Sequence, residues 1–346
     1  MKAAILYGQK DIRYEEIEIP KIDNTEILVR VKATGICGSD IPRVLGTGAH
    51  YYPIILGHEF SGEVVEVGEH VTRFKPGDRV AGVPLVPCYL CGDCQQGHYA
   101  QCKNYSFIGS RISGSWAEYV KLPAMNGVKL PETVTYEEGA LFEPVTVALH
   151  GLLMMNFLPG TDVAVVGAGT IGMFTIQCAR NFGVKRIFVF DINPARLELA
   201  RKYGADICLN TGDDSFQQIV DMETNNRGFD AVIETAGVEF TEKLSLRIAA
   251  NKGQIMFIGT PSKTISLSPR DFENINRKEL YVRGSWMSYS APFPGREWDL
   301  AGYYFEQGKI QCEELIHRVY PLEQIGLAFE ELSIPGRVSG KILLKG

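Results

Sequence analysis

The stretch Val163-Ala164-Val165-Val166-Gly167-Ala168-Gly169-Thr170-Ile171-Gly172 decides the fold. Four apolar residues read as a buried strand, run into G-x-G-x-x-G, and lead straight into a helical pattern. Gly167 permits the tight turn, Gly169 lets backbone approach a pyrophosphate, and Gly172 lets the next helix sit close to the sheet. Thr170 and Ile171 open that helix, whose free N–H groups and partial positive charge suit phosphates. Glycines at a strand–helix turn are weak evidence by themselves. Here a second strand pattern ends in Asp191, 19 residues beyond Gly172, where a carboxylate accepts hydrogen bonds from an adenosine ribose. Asp191 repels a 2′-phosphate, which favours NAD over NADP. Arg196 follows and either lies beside the adenosine or faces solvent.

On the C-terminal side of this loop, strand and helix patterns alternate. Candidate strands are Val163–Val166, Ile187–Phe190, Ile207–Leu209, Ala231–Glu234, Ile255–Ile258 and Leu280–Val282. Such alternation means a parallel sheet with helices on both faces, and six strands make the full dinucleotide-binding version. The N-terminal side differs. Ile27, Val29, Val31 and Ala33 recur at every second position, SGEVVEVG from Ser61 to Gly68 is a further strand, and glycine-rich turns separate the pieces. The end of the chain carries another strand, Gly340 to Leu344, which is expected to return to the β-rich part. The nucleotide domain (149–284) is then an insertion within a β-rich domain (1–148 and 285–346).

Length and composition agree with two globular domains: 346 residues, 45% hydrophobic and 22% charged. A net charge of −6, with no basic tract, argues against nucleic acid or an anionic membrane as partner. No apolar run approaches the ~20 residues of a membrane span, and the N-terminus shows no secretory signal, so a cytoplasmic location is expected.

Four of the eight cysteines crowd into one loop, Cys88, Cys91, Cys94 and Cys102. Thiols crowded in a reducing compartment read as metal binding rather than disulfides. Four thiolates close tetrahedrally on zinc with no open position, which makes such a zinc structural. An iron–sulfur cluster is the competing reading of C-x2-C-x2-C, although nothing else in the chain suggests electron transfer. A second group is more dispersed: Cys37 after the first long strand, His58 before the next, and Glu143 in the apolar run Leu-Phe-Glu-Pro. One Cys, one His and one Glu leave the open fourth position of a catalytic zinc. Taken singly, each also reads as an ordinary buried or capping residue.

Together these motifs make the chain resemble the zinc-dependent medium-chain dehydrogenases over nearly its whole length. The order is Gly57-His58-Glu59, the Cys88–Cys102 lobe, Glu143-Pro144, the Gly167–Gly172 loop and Asp191. The resemblance implies a GroES-like β-rich catalytic domain with an inserted six-stranded Rossmann domain, two zinc ions per subunit, and NAD. It implies Cys37, His58 and Glu143 as catalytic-zinc ligands, with glutamate in third place as in polyol dehydrogenases. It also implies that Glu59 lies beside the metal and that the protein is a homo-oligomer, dimer or tetramer. The segments Gly48–Pro53, Phe107–Arg111 and Gly284–Trp298 resemble the sugar-alcohol phosphate branch of the family. Where broader alcohol dehydrogenases carry a histidine five residues after the zinc cysteine, this chain has Pro42.

The expected reaction is oxidation of a secondary alcohol of a sugar-alcohol phosphate to a ketose phosphate. The alternatives are a pentitol phosphate or a free polyol such as sorbitol or xylitol. Ser39 takes the hydroxyl proton, or else merely caps the following helix. A phosphorylated substrate calls for a cationic anchor, and Arg111 is the first candidate, ahead of Arg43, Arg283 and Arg296. Trp286 and Tyr289 either wall the cleft or pack in the core. Two rival classes are a quinone-reductase-like NADPH enzyme without catalytic zinc and a non-enzymatic nucleotide-binding relative; the Cys37/His58/Glu143 set, Ser39 and Asp191 argue against both.

Overall fold

The structure is a computed structural model that describes residues 1–156, 158–334 and 336–346. The chain divides into two compact units. One comprises Met1–Glu143, Tyr289–Gly308 and Cys312–Gly346; the other comprises Pro144–Ser288 and Lys309–Gln311.

The second unit contains a six-stranded parallel sheet. Its spatial order is Ile207–Asn210, Arg186–Asp191, Asp162–Val166, Phe229–Glu234, Ala249–Phe257 and Tyr281–Gly284. In sequence terms this is 3-2-1-4-5-6, the doubly wound order whose reversal point lies beside the first strand. Val163 to Val166 are all fully buried, as expected of a strand covered on both faces. Phe188 and Phe229 meet edge to face at 4.7 Å, and Val166, Phe190, Leu209 and Val232 complete one packed layer. The fifth strand begins at Ala249, earlier than the apolar pattern from Ile255 suggests. A polar kink hides its start: Lys252 adopts φ of 62°, and the register with the neighbouring strand shifts between Phe229 and Ala231.

The first unit is built on a seven-stranded mixed sheet. The long strand Glu26–Ile36 pairs antiparallel with Glu59–Val67 on one edge. Its other edge is shared by Tyr119–Pro123 and by the C-terminal strand Lys341–Lys345. Ile27, Val29, Val31 and Ala33 are buried, and so is Leu28 between them. A central strand in a covered sheet explains why the alternation is imperfect at that residue. Two pairings at the end of the long strand position the candidate metal site: Gly35 lies opposite Glu59, and Ile36 lies opposite Ile342.

Candidate metal and nucleotide sites

The Gly35–Glu59 pairing brings together the ends of two strands. Cys37 lies just beyond one and His58 just before the other, so two residues 21 positions apart become neighbours. The ligand atoms of Cys37, His58 and Glu59 all lie within 4.8 Å of one another. His58 and Glu59 are buried. Glu143, expected from the sequence as the third ligand, is the second residue of the helix Phe142–Leu153. Burial pushes its carboxyl up to about 8, and the charges of Glu59 and Cys37 add to this while His58 and Lys341 oppose it. Glu143 therefore shares the electrostatic environment of the other three, but the converging donor set is completed by Glu59. Burial, reinforced by Glu59, likewise holds the Cys37 thiol up at about 11.

Three groups around this cluster carry no signal in the sequence reading. Lys341 Nζ donates to both oxygens of Glu59, at 2.6 and 2.7 Å, and to the Ile36 carbonyl at 3.3 Å. Gly35 makes the room, since a Cβ there would stand 2.1 Å from Glu59 Oε2. Asp40 is fully buried; its carboxylate accepts from the Cys37 amide at 3.0 Å and lies 3.6 Å from His58 Nδ1. Burial raises its pKa, against the pull of His58 and Arg43. Arg43 Nη1 donates to Asp40 Oδ1 at 3.1 Å and to Ser39 Oγ at 2.8 Å. Ser39 precedes the helix Asp40–Leu45, yet its side chain makes no capping hydrogen bond. Its oxygen is engaged by Arg43.

The cysteine lobe is compact. The four Sγ atoms of Cys88, Cys91, Cys94 and Cys102 lie within 4.8 Å of one another. Amides already point at them: Cys88 N–H donates to Cys102 Sγ at 3.3 Å and Cys91 N–H to Cys88 Sγ at 3.4 Å. The amides of Cys94 and Lys103 pull the Cys91 thiol down to about 6. At Cys88 and Cys91 this is the electropositive setting that favours thiolates and hence a soft metal, whereas burial holds the Cys94 thiol up at about 12. Behind the lobe, Tyr89, Tyr99 and Phe293 meet edge to face with centroids 5.3 to 6.0 Å apart.

In the other unit the three glycines of the loop have separable roles. Gly167 has φ of 99°, and a Cβ on Gly172 would lie 2.0 Å from the Gly167 carbonyl oxygen. Both are required by the protein itself. Gly169 has φ of −75° and ψ of −170°, a conformation open to any residue, and a Cβ there would meet nothing within 4 Å. Nothing in the chain demands glycine at 169, whereas a ligand lying against the backbone would. Thr170 and Ile171 begin the helix Thr170–Asn181. Asp191 ends its strand with one oxygen accepting from Ala168 N–H at 2.7 Å and the other from Asn193 N–H at 2.8 Å, which locks its carboxylate beside the loop. Arg196 lies on the next helix, with its Nε buried and, among the described residues, without a hydrogen-bond partner.

The remaining candidates are scattered. Arg111 packs over the Tyr105 ring at 4.6 Å, with Nη2 donating to the Tyr105 hydroxyl at 3.3 Å. Arg283 donates to the Met154 carbonyl at 2.7 Å, and Arg296 opens the helix Arg296–Glu306. Tyr289 is buried, stacks on Phe293 and Trp298, and accepts at its hydroxyl from the Leu85 amide at 3.3 Å. It has the surroundings of a packed core residue. Trp286 is half exposed.

Residues 23–132 match the alcohol dehydrogenase GroES-like domain, and residues 170–301 match the zinc-binding dehydrogenase domain. The chain belongs to the zinc-binding alcohol dehydrogenase family. It is 40% identical to galactitol 1-phosphate 5-dehydrogenase of Escherichia coli (strain K12), with 99% of each chain covered. The crystal structure of the galactitol-1-phosphate dehydrogenase from Escherichia coli superposes with a TM-score of 0.96, covering 100% of both chains. Sorbitol dehydrogenase of Bacillus subtilis (strain 168) is 33% identical, with 95% of this chain and 93% of that one covered. A zinc-binding dehydrogenase from Sinorhizobium meliloti 1021, solved bound to NADP, gives a TM-score of 0.90 at 30% identity, covering 100% and 99%. As a zinc-binding dehydrogenase the protein is an oxidoreductase with the GroES-like and Rossmann-type architecture. Among the described residues no helix is long and apolar enough to cross a membrane.

Proposed function

We propose that the protein oxidises a secondary alcohol of a sugar-alcohol phosphate to a ketose phosphate, with galactitol 1-phosphate to tagatose 6-phosphate as the leading substrate pair, using zinc and NAD. The observation that carries this reading is the convergence of the Cys37, His58 and Glu59 donor atoms beside Ser39. Soft thiolate, imidazole and one carboxylate are a donor set suited to zinc, and three protein ligands leave a position for substrate. Bound there, zinc supplies Lewis acidity toward the substrate oxygen. Cys37, His58 and Glu59 would hold the metal, with Glu143, the third ligand expected from the sequence, in the same buried electrostatic environment and the Asp40 carboxylate 3.6 Å from His58 Nδ1. The second zinc is assigned to Cys88, Cys91, Cys94 and Cys102.

Ser39 takes the hydroxyl proton. Its oxygen is fixed by Arg43, a group too basic to accept a proton onward, and residue 42 is a proline. Ser39 is exposed, so as its oxygen takes the substrate proton its own hydroxyl proton passes to solvent rather than along the helix that follows. In the nucleotide unit the Gly167–Gly172 loop and the Thr170 helix N-terminus receive the pyrophosphate, and Asp191 binds the ribose hydroxyls and disfavours a 2′-phosphate. The nicotinamide supplies the hydride acceptor. The outer strand Tyr281–Gly284 is exposed along its whole length and, among the described residues, pairs on one edge only, which suits association with a second copy of the chain.

The test is NADH formation across a panel of polyols and polyol phosphates. A hexitol phosphate should be oxidised far better than its parent polyol. Equal or better use of free sorbitol would replace this reading with that of a polyol dehydrogenase, the activity named for the Bacillus subtilis relative. A pentitol phosphate as the best substrate would keep the class and change the sugar.

A further inference from the structure

The crevice of a doubly wound sheet opens where the strand order reverses, here between the first strand, Asp162–Val166, and the fourth, Phe229–Glu234. One side chain bridges that gap. Thr235 follows the fourth strand directly, and its hydroxyl donates to the Gly167 carbonyl at 2.9 Å, with the Val166 carbonyl at 3.2 Å. Its amide also donates to the Val166 carbonyl, at 2.9 Å. On the other flank Asp191, at the end of the second strand, accepts from Ala168 N–H at 2.7 Å. The peptide unit that joins Gly167 to Ala168 is therefore held at both ends. A side chain beyond the fourth strand fixes its carbonyl, and a side chain of the second strand fixes its N–H.

This clamp answers a weakness of the loop. Gly167 has φ of 99° and no Cβ, so nothing in the residue itself fixes the peptide that follows it. The plane of that peptide decides where the next amides point, those of Gly169 and Thr170 at the start of the helix Thr170–Asn181. Gly172 leaves the carbonyl room to turn inward, since a Cβ there would stand 2.0 Å from the Gly167 oxygen and 3.2 Å from Thr235 Oγ1. The turn that carries Thr235 is itself held by Glu234, which is fully buried. Glu234 Oε1 accepts from the amides of Ala236 and Gly237, at 2.8 Å each, and from Thr241 Oγ1 at 2.6 Å. A hydroxyl presented by so fixed a turn is a rigid reference for a glycine loop.

We propose that Thr235 is a positioning residue for the cofactor: its hydroxyl orients the Gly167–Ala168 peptide, and through it the amides that meet the pyrophosphate. The proposal rests on the reading that the Gly167–Gly172 loop receives the pyrophosphate. Thr235 acts through loop backbone, so its effect falls on the pyrophosphate part of the ligand. The adenosine end is spared, because Asp191 is also held by the Asn193 amide at 2.8 Å.

The experiment measures binding to the zinc-loaded enzyme, of NADH by fluorescence and of ADP-ribose and adenosine by displacement of NADH. Thr235→Val keeps the shape and removes the donor. It should weaken NADH and ADP-ribose about tenfold, the worth of one well-placed hydrogen bond, and change adenosine less than about twofold. Thr235→Ser should restore the lost affinity. In turnover Thr235→Val should raise KM for NAD with kcat nearly unchanged. Equal weakening of ADP-ribose and adenosine, or no recovery in Thr235→Ser, would make Thr235 a packing residue and overturn the proposal. Unchanged NADH affinity in Thr235→Val would overturn it as well. A wild type that binds ADP-ribose no better than adenosine would overturn the reading of the loop itself. If Thr235→Val fails to fold, Thr235→Ala carries the same comparison, because it leaves space for a water on the Gly167 carbonyl.

Discussion

Lys341 closes on Glu59 with Nζ 2.6 and 2.7 Å from the two carboxylate oxygens, and both side chains are buried. The partners are 282 residues apart in sequence and meet because the C-terminal strand and the strand carrying Glu59 flank the same central strand. Removing one member of a buried ion pair leaves the other charge uncompensated, at a cost of about 3–5 kcal/mol. Lys341→Met should show that loss in metal-free protein. In zinc-loaded protein the cost should be smaller, because a cation at the Cys37/His58/Glu59 cluster takes over the charge of Glu59. Urea unfolding with and without a chelator measures both values. Equal losses in the two forms would mean that Glu59 does not face the metal.

Much of the architecture is legible in the sequence because it rests on local patterns. The parallel sheet announces itself through apolar runs alternating with helical segments, and the four-cysteine lobe through spacing. The catalytic cluster is harder. Glu143 enters the expected shell as an acid in an apolar run, and Glu59 is expected beside the metal only by resemblance, whereas the structure brings Glu59 among the converging atoms through a strand pairing that no local pattern displays. Lys341 reads as an ordinary strand-end lysine until the Ile342–Ile36 register places it beside Glu59. Ser39 is ambiguous between helix cap and proton relay until its oxygen is found on Arg43. Tyr289 is equally ambiguous, and packing against Trp298 and Phe293 places it in the core.

The pH dependence of the metal-free enzyme should reveal Glu143. Its carboxyl is raised to about 8 in the folded protein, against about 4.3 in an unfolded chain. Between those values the folded state holds a proton that the unfolded state has released. Stability therefore falls as pH rises from about 5 to about 8. Glu143→Gln should flatten that slope, as seen in denaturant midpoints across the range. A slope identical to wild type would show that Glu143 does not carry the buried proton. Zinc affinity should rise over the same range, since the Cys37 thiol must give up its proton to a cation.

The two zinc sites should part company under a mild chelator. A closed shell of four thiolates exchanges slowly, whereas a three-ligand site with an open position does not. Timed dialysis should remove about one zinc per chain first, abolishing turnover while circular dichroism stays unchanged. The lobe cysteines should resist thiol reagents until the second zinc leaves. Concerted loss of both metals with unfolding would contradict this separation.

The glycine loop allows fold and cofactor binding to be tested apart. Gly172→Ala forces a Cβ to within 2.0 Å of the Gly167 carbonyl oxygen, so the helix Thr170–Asn181 must shift off the sheet. Overpacking of this kind costs about 1–3 kcal/mol, and the variant should melt lower with or without cofactor. Gly169→Ala meets no atom within 4 Å and keeps an ordinary backbone conformation, so the cofactor-free protein should melt as wild type or slightly higher. Its added methyl occupies the space where backbone is expected to meet pyrophosphate, and NADH affinity, read by fluorescence titration, should fall about tenfold or more. The contrast matters more than either variant alone. A loop that only turned the chain would make Gly169→Ala silent in both assays, and that result would move the phosphate site elsewhere. Weakened NADH binding at an unchanged melting temperature is expected only if a ligand, rather than the protein, requires glycine at this position.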